Sequence, residues 1–159
     1  MRCLIFFTLL LAALPASAGE MRYPASGAPA VTVDIPDGWS AKETDGKLVA
    51  ASADGSSTVT ISIAPYAGSL DALADETLKA AGIDPPSPDE RHAVLVADLT
   101  GFWWPSQQTD ARGKTRHVFF CDVMLGDGKA LTGILVSPDD DGPGFHAGLH
   151  ILDRMKLAH

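Results

Sequence analysis

Apolar and polar residues alternate along Val31-Thr32-Val33-Asp34-Ile35, the period-two pattern of a strand with one buried face. Pro36-Asp37-Gly38 then reads as a turn that delivers Trp39 to the next segment. Leu48 to Ala53 predicts a second strand, and Asp54-Gly55 is a hairpin signal because both central positions of such a turn favour positive φ. Thr58 to Ile63 predicts a third strand, with Val59, Ile61 and Ile63 on one face and Thr58, Thr60 and Ser62 on the other. The period then lengthens. Leu70, Leu73, Ala74, Thr77 and Ala81 form one stripe at helical spacing. Ser69 is placed to cap that helix, Asp71 sits in its first turn, and Gly82 and Pro85-Pro86 end it.

Strands return in the second half. His92 to Leu99, Phe102 to Gln108, Thr115 to Leu125 and Leu131 to Val136 are expected strands. Asp110–Gly113 and Asp127-Gly128 are the turns. If the first of these is tight, Trp104 lies near Phe119 and Trp103 near Phe120. That makes both faces of the hairpin apolar, and a sheet buried on both faces needs cover on both. Phe145 to Leu157 reads as a helix with Phe145, Leu149, Leu152 and Met155 in one stripe. The predicted order is βββ-α-ββββ-α in one α+β domain spanning residues 30–159, with no internal repeat. Residues 19–29, rich in Ala, Gly and Pro, read as a loose leader.

The first segment belongs to targeting. Arg2 supplies a positive end, Leu4 to Ala13 is an almost unbroken apolar run, and Pro15 precedes Ala16-Ser17-Ala18. Small residues at the first and third places of that triplet suit a signal peptidase, so residues 1–18 read as a secretory signal cleaved after Ala18. The run is too short for a span, which needs about 20 apolar residues. Cys3 precedes the run, so no lipid anchor is expected, and no other stretch is long enough to cross a bilayer. A periplasmic or secreted product follows.

Charge narrows the partners. The 159 residues carry a formal net charge of −8, and cleavage would remove Arg2 but no acid. Lys and Arg are scattered, with no cluster to track a phosphate backbone or an anionic membrane surface, so no nucleic acid is expected as partner. Cys121 would be the one cysteine left, in the run Val118 to Met124, and cannot form an internal bridge. It reads as a small buried hydrophobe, an intermolecular bridge, or a nucleophile that would need a base beside it.

A strand ending in Ile35-Pro36-Asp37-Gly38-Trp39, a hairpin, a helix, a four-strand meander and a closing helix resemble the PsbP-like family, and within it small bacterial periplasmic proteins of the DcrB kind. The resemblance implies an α/β/α sandwich with helices covering both faces of a mainly antiparallel sheet. It carries over no catalytic residue, and implies an accessory, assembly or protein-binding role. DcrB-like members are often lipid-anchored, and this chain lacks the required cysteine.

Candidate chemistry is sparse. His146 and His150, four apart and followed by Asp153, share a helix face and so form a candidate metal pair. The glutamate of a metalloprotease helix is absent, and the competing reading is a solvated polar face. Asp139-Asp140-Asp141 lacks the alternating ligands and closing carboxylate of a calcium loop. No nucleophile elbow, phosphate loop or dinucleotide fingerprint occurs, so no enzyme, catalytic residue or cofactor is expected. Trp103 and Trp104 are adjacent and face opposite ways in a strand. Both are core residues, or one rims a groove with Gln107 or Gln108 as a partner surface. The expected function is a non-catalytic exported module that binds an envelope or secreted protein, an immunity or inhibitor protein being one version. The alternative is a small-ligand or metal carrier using His146 and His150.

Overall fold

A computed structural model describes residues 16–28, 30–109 and 112–158. The apolar run Leu4–Ala13 lies outside the described residues. The strands are β1 (Ala16–Tyr23), β2 (Val31–Thr44), β3 (Lys47–Ser52), β4 (Thr58–Pro65), β5 (His92–Val96), β6 (Leu99–Thr109), β7 (Thr115–Gly126), β8 (Lys129–Ser137) and β9 (Lys156–Leu157). Helix α1 (Leu70–Ala80) follows β4, and α2 (Pro143–Asp153) follows β8. All nine strands join one antiparallel sheet in the order β1-β2-β3-β4-β8-β7-β6-β5, with β9 also on β2. The result is one α+β domain.

Four expectations need correction. The stretch read as a loose leader contains most of β1, which runs antiparallel to β2 with Tyr23 opposite Val31. Alternation is weak there, and β2 supplies the ladder that the local sequence does not announce. Pro36-Asp37-Gly38 does not end a strand. It bulges within β2, where Ile35 pairs with Gly19 and Ser40 with Ser17, and Gly38 takes φ 77°. A bulge tolerates a proline that has no N–H for the ladder. The expected strand His92–Leu99 is split by a two-residue turn at Ala97 and Asp98, both at positive φ (53° and 62°) and neither a glycine. Finally, α2 stops at Asp153, and Lys156–Leu157 pair with Thr32 and Val31.

The first helix is built as its sequence predicts. The Ser69 hydroxyl accepts from the Ala72 N–H at 3.2 Å, satisfying one of the free amides of the first turn. Its buried residues are Leu73, Ala74 and Leu78, and Ala74 and Leu78 pack against Trp104, Val118 and Phe120. Arg91 fastens the outer side of α1, its guanidinium 2.5 Å from both Asp71 and Asp75.

The larger core gathers Leu48, Val59, Ile61, Val123, Leu131 and Leu135 beneath Ile151 and Leu152 of α2. Trp39 belongs to this core and is 6% exposed. The buried side of α2 is Gly148, Ile151 and Leu152, whereas Phe145 and Leu149 of the expected stripe are half-buried. Two glycines let the helix approach the sheet. A Cβ on Gly133 would lie 2.7 Å from Leu152 Cδ2, and one on Gly148 would collide with Leu135 Cδ1.

Candidate functional site

The helix α2 does not cover the β5–β6–β7 end of the sheet completely. An open cleft of about 460 Å³ remains between them. Its floor is Val94, Val96, Trp103, Phe119 and Cys121, three adjacent strands contributing side chains from one face. Leu149 and Leu152 of α2 form the opposite wall. His146, His150 and Asp153, on the same helix, complete the lining. The volume falls within the range of small-molecule sites, and an apolar lining with a few polar groups at one side is their usual composition.

Register explains the floor. Trp103 pairs with Cys121 and Trp104 with Phe120, one step from the expected partners, because the loop after Thr109 closes only at Thr115. Trp103 therefore meets Phe119 on the diagonal, with ring centroids 5.0 Å apart, and stacks on His92 across the strand pair at 4.8 Å. The three rings stand side by side as a ladder across β5, β6 and β7. Trp103 is half-buried. Trp104, expected as an alternative rim residue, is 5% exposed and packs with α1, so it belongs to no open surface.

The two glutamines part company by the same alternation. Gln107 lines a neighbouring cleft of about 330 Å³ with Pro105, His117, Phe119 and Phe145, so Phe119 is shared by both clefts. Gln108 instead donates from Nε2 to the Ala81 carbonyl beyond the end of α1, at 3.3 Å. A wider groove of about 640 Å³ beside Gly38, Trp39 and Pro143 has Trp39 as its one aromatic lining residue and lacks a stacked floor of this kind.

The histidines face carboxylates rather than each other. His146 Nε2 lies 3.0 Å from Asp141, and His150 Nε2 lies 3.5 Å from Asp34. Among the described residues, no group of three or more His, Cys, Asp or Glu side chains is arranged to hold a metal ion. Helical spacing placed the imidazoles on one face, but their partners come from different parts of the chain. Cys121 is buried in the cleft floor. Burial, and secondarily the neighbouring Asp122 carboxylate, push its thiol up to about 12. A thiol so protonated at neutral pH is a poor nucleophile.

One buried acid was not singled out from the sequence. Asp122 is fully buried on the α1 side, between Thr77 and Thr132, whose hydroxyls donate to Oδ1 at 3.1 and 2.6 Å. Its Oδ2 has no partner among the described residues. Burial raises its pKa to about 6 against the lowering effect of both threonines. The available signal was an acid inside the apolar run Val118–Met124.

Fold and cleft together define a small α+β protein with a single antiparallel sheet and an open apolar cleft under its second helix. No protein-family model matches the chain, and no curated protein does. Solved structures share the fold. LpqN of Mycobacterium tuberculosis, described as involved in cell envelope biogenesis, matches with a TM-score of 0.59 and 17% identity over 90% of this chain and 91% of that one. A protein of Bacteroides thetaiotaomicron matches with a TM-score of 0.62 and 10% identity over 91% of this chain. This chain spans half the length of that second protein. Among the described residues, no helix is long and apolar enough to cross a membrane.

Proposed function

We propose that this protein is a non-catalytic, exported binding module of the cell envelope, and that the cleft between α2 and the β5–β7 end of the sheet is its binding face. The observation that carries the reading is the cleft itself, an apolar floor with a stacked aromatic ladder left open by the helix above it. Trp103 is the tryptophan of this face, and Gln107 extends it through the adjoining cleft. The signal-like segment ending at Ala18 and the likeness in fold to LpqN favour an envelope setting. A non-catalytic role is favoured by the protonated Cys121 thiol and by the separate carboxylate partners of the two histidines. A PsbP-like sandwich, covered on both faces, is part of the same proposal. Along β7, Val118 and Phe120 sit with α1, whereas Phe119, Cys121 and Val123 sit with the core under α2. Consecutive strand residues point to opposite faces, so the two helices lie on opposite sides.

The test is retention from an envelope extract on immobilised wild type and on Leu149→Arg, which places a charge in the cleft wall. Thermal melts establish that the variant is folded. A protein or lipid held by the wild type and lost by the variant supports the reading. Equal retention by both overturns the assignment of the cleft.

A further inference from the structure

The lining of the cleft contains no Lys or Arg. Its polar side is His146, His150 and Asp153, and two more carboxylates stand against the imidazoles, Asp141 at 3.0 Å from His146 and Asp34 at 3.5 Å from His150. Of these carboxylates only Asp153 lines the cavity itself, whose floor and wall are apolar; Asp34 opens onto an adjoining cleft that Arg154 and Lys156 also line. The whole chain adds to the same sign, with a formal net charge of −8. An anionic head group inside the cavity would meet the Asp153 carboxylate with no lysine or arginine of the lining to receive it. A cationic group would meet opposite charge, and an uncharged hydroxylated group would find acceptors. The apolar remainder of such a molecule would leave water against Trp103, Phe119 and Leu149, and burial of apolar surface favours that transfer. At about 460 Å³ the cavity is of the size that takes a small molecule, such as a short alkyl chain with a compact head.

We propose that the cleft binds a small amphiphile whose apolar tail lies on the Trp103–Phe119 ladder and whose polar head is cationic or uncharged, never anionic. The proposal rests on the cleft being the binding face, and it names the ligand class of that face.

Three single-chain probes of equal tail length test it below their micelle concentrations: decyltrimethylammonium, decyl maltoside and decyl sulfate. Binding to the full exported protein is read by calorimetry and by tryptophan emission. Trp103→Phe identifies the part of the emission change that arises in the cleft. The first two probes should bind, and the sulfate should bind at least about tenfold more weakly, a difference of about 1.4 kcal/mol. Asp153→Lys changes an exposed residue and should narrow or reverse that preference while leaving the melt unchanged. Leu149→Trp, which fills the cleft, should abolish binding of all three. Sulfate binding as tight as that of the other two, or a preference indifferent to Asp153→Lys, overturns the ligand class while leaving the cleft as a binding site. No saturable binding by any probe, or binding untouched by Leu149→Trp, overturns the cleft itself.

Discussion

Oδ1 of Asp122 accepts two threonine hydroxyls while Oδ2 accepts none among the described residues, and the whole side chain is out of water. Burial penalises the charged form, so the folded pKa rises from 3.8 to about 6. A raised carboxyl pKa means that the folded state holds the proton more tightly than the unfolded one. The resulting stabilisation is complete below about pH 3.8 and is lost as pH rises through about 6. Moving from about pH 7 to about pH 5 should therefore add about 1 kcal/mol from this group. Urea melts at the two pH values measure it, and Asp122→Asn should remove that increment. A wild type and Asn variant with the same pH response would place the charge elsewhere. The tryptophans separate at the same scale. Trp39 is 6% exposed inside the larger core, so Trp39→Ala should cost about 3–5 kcal/mol of a total near 5–15 kcal/mol. Trp103 is half-buried, and Trp103→Ala should cost less while weakening ligand binding. Thermal melts rank the two, and a Trp39→Ala protein as stable as wild type would put that ring outside the core.

At the scale of elements, α2 decides both stability and site. It sits close to the sheet because Gly148 faces Leu135 and Gly133 faces Leu152, contacts that leave no room for a Cβ. A side chain at Gly148 must lift the helix or displace Leu135. Gly148→Val should destabilise by about 1–3 kcal/mol, the usual cost of overfilling a well-packed core. It should also alter the cleft, since Leu149 and Leu152 form its wall. Melting temperature and Trp103 emission read the two effects, and a variant with neither change would show that the contact relaxes without moving the helix. The first helix was legible in more detail, because its cap, its first-turn acid and its terminating glycine are all local. Its buried face was less so. Leu78 is buried, though the stripe read from spacing omitted it, because the sheet decides which side of a helix is covered.

For the whole molecule, the expected signal cleavage falls within β1 (Ala16–Tyr23). Ala16–Ala18 begin β1, and cleavage after Ala18 leaves Gly19–Tyr23 to keep their pairing with β2. Mass spectrometry of the protein recovered from the periplasm or medium should find Gly19 as the first residue. A retained segment 1–18 or an attached lipid would overturn it. Such a strand, shortened at one end, still pairs over five residues from Gly19 to Tyr23, enough to hold the sheet edge.

Local periodicity determined much on its own. The alternation in Val31–Ile35 and Thr58–Ile63, the hairpin signals at Asp54-Gly55 and Asp127-Gly128, and the Ser69 cap all lie within a few residues of what they specify. So does the placing of His146 and His150 on one helix face, four residues apart. Tertiary structure decided what depends on distant partners. Leader residues became β1 because β2 offered a ladder, and Pro36–Gly38 became a bulge because β2 continued past it on both neighbours. The sequence offered a groove rimmed by one of two tryptophans, but not the residues that wall it. Val94, Trp103, Phe119 and Leu149 come from three strands and a helix, and only register brings them to one face. A shift of one residue in the β6–β7 pairing would exchange Trp103 for Trp104 over the cleft, because strand side chains alternate with a period of two. That single step is set by loop closure between Thr109 and Thr115 and by the burial of Trp104 under α1, neither of which a local pattern contains.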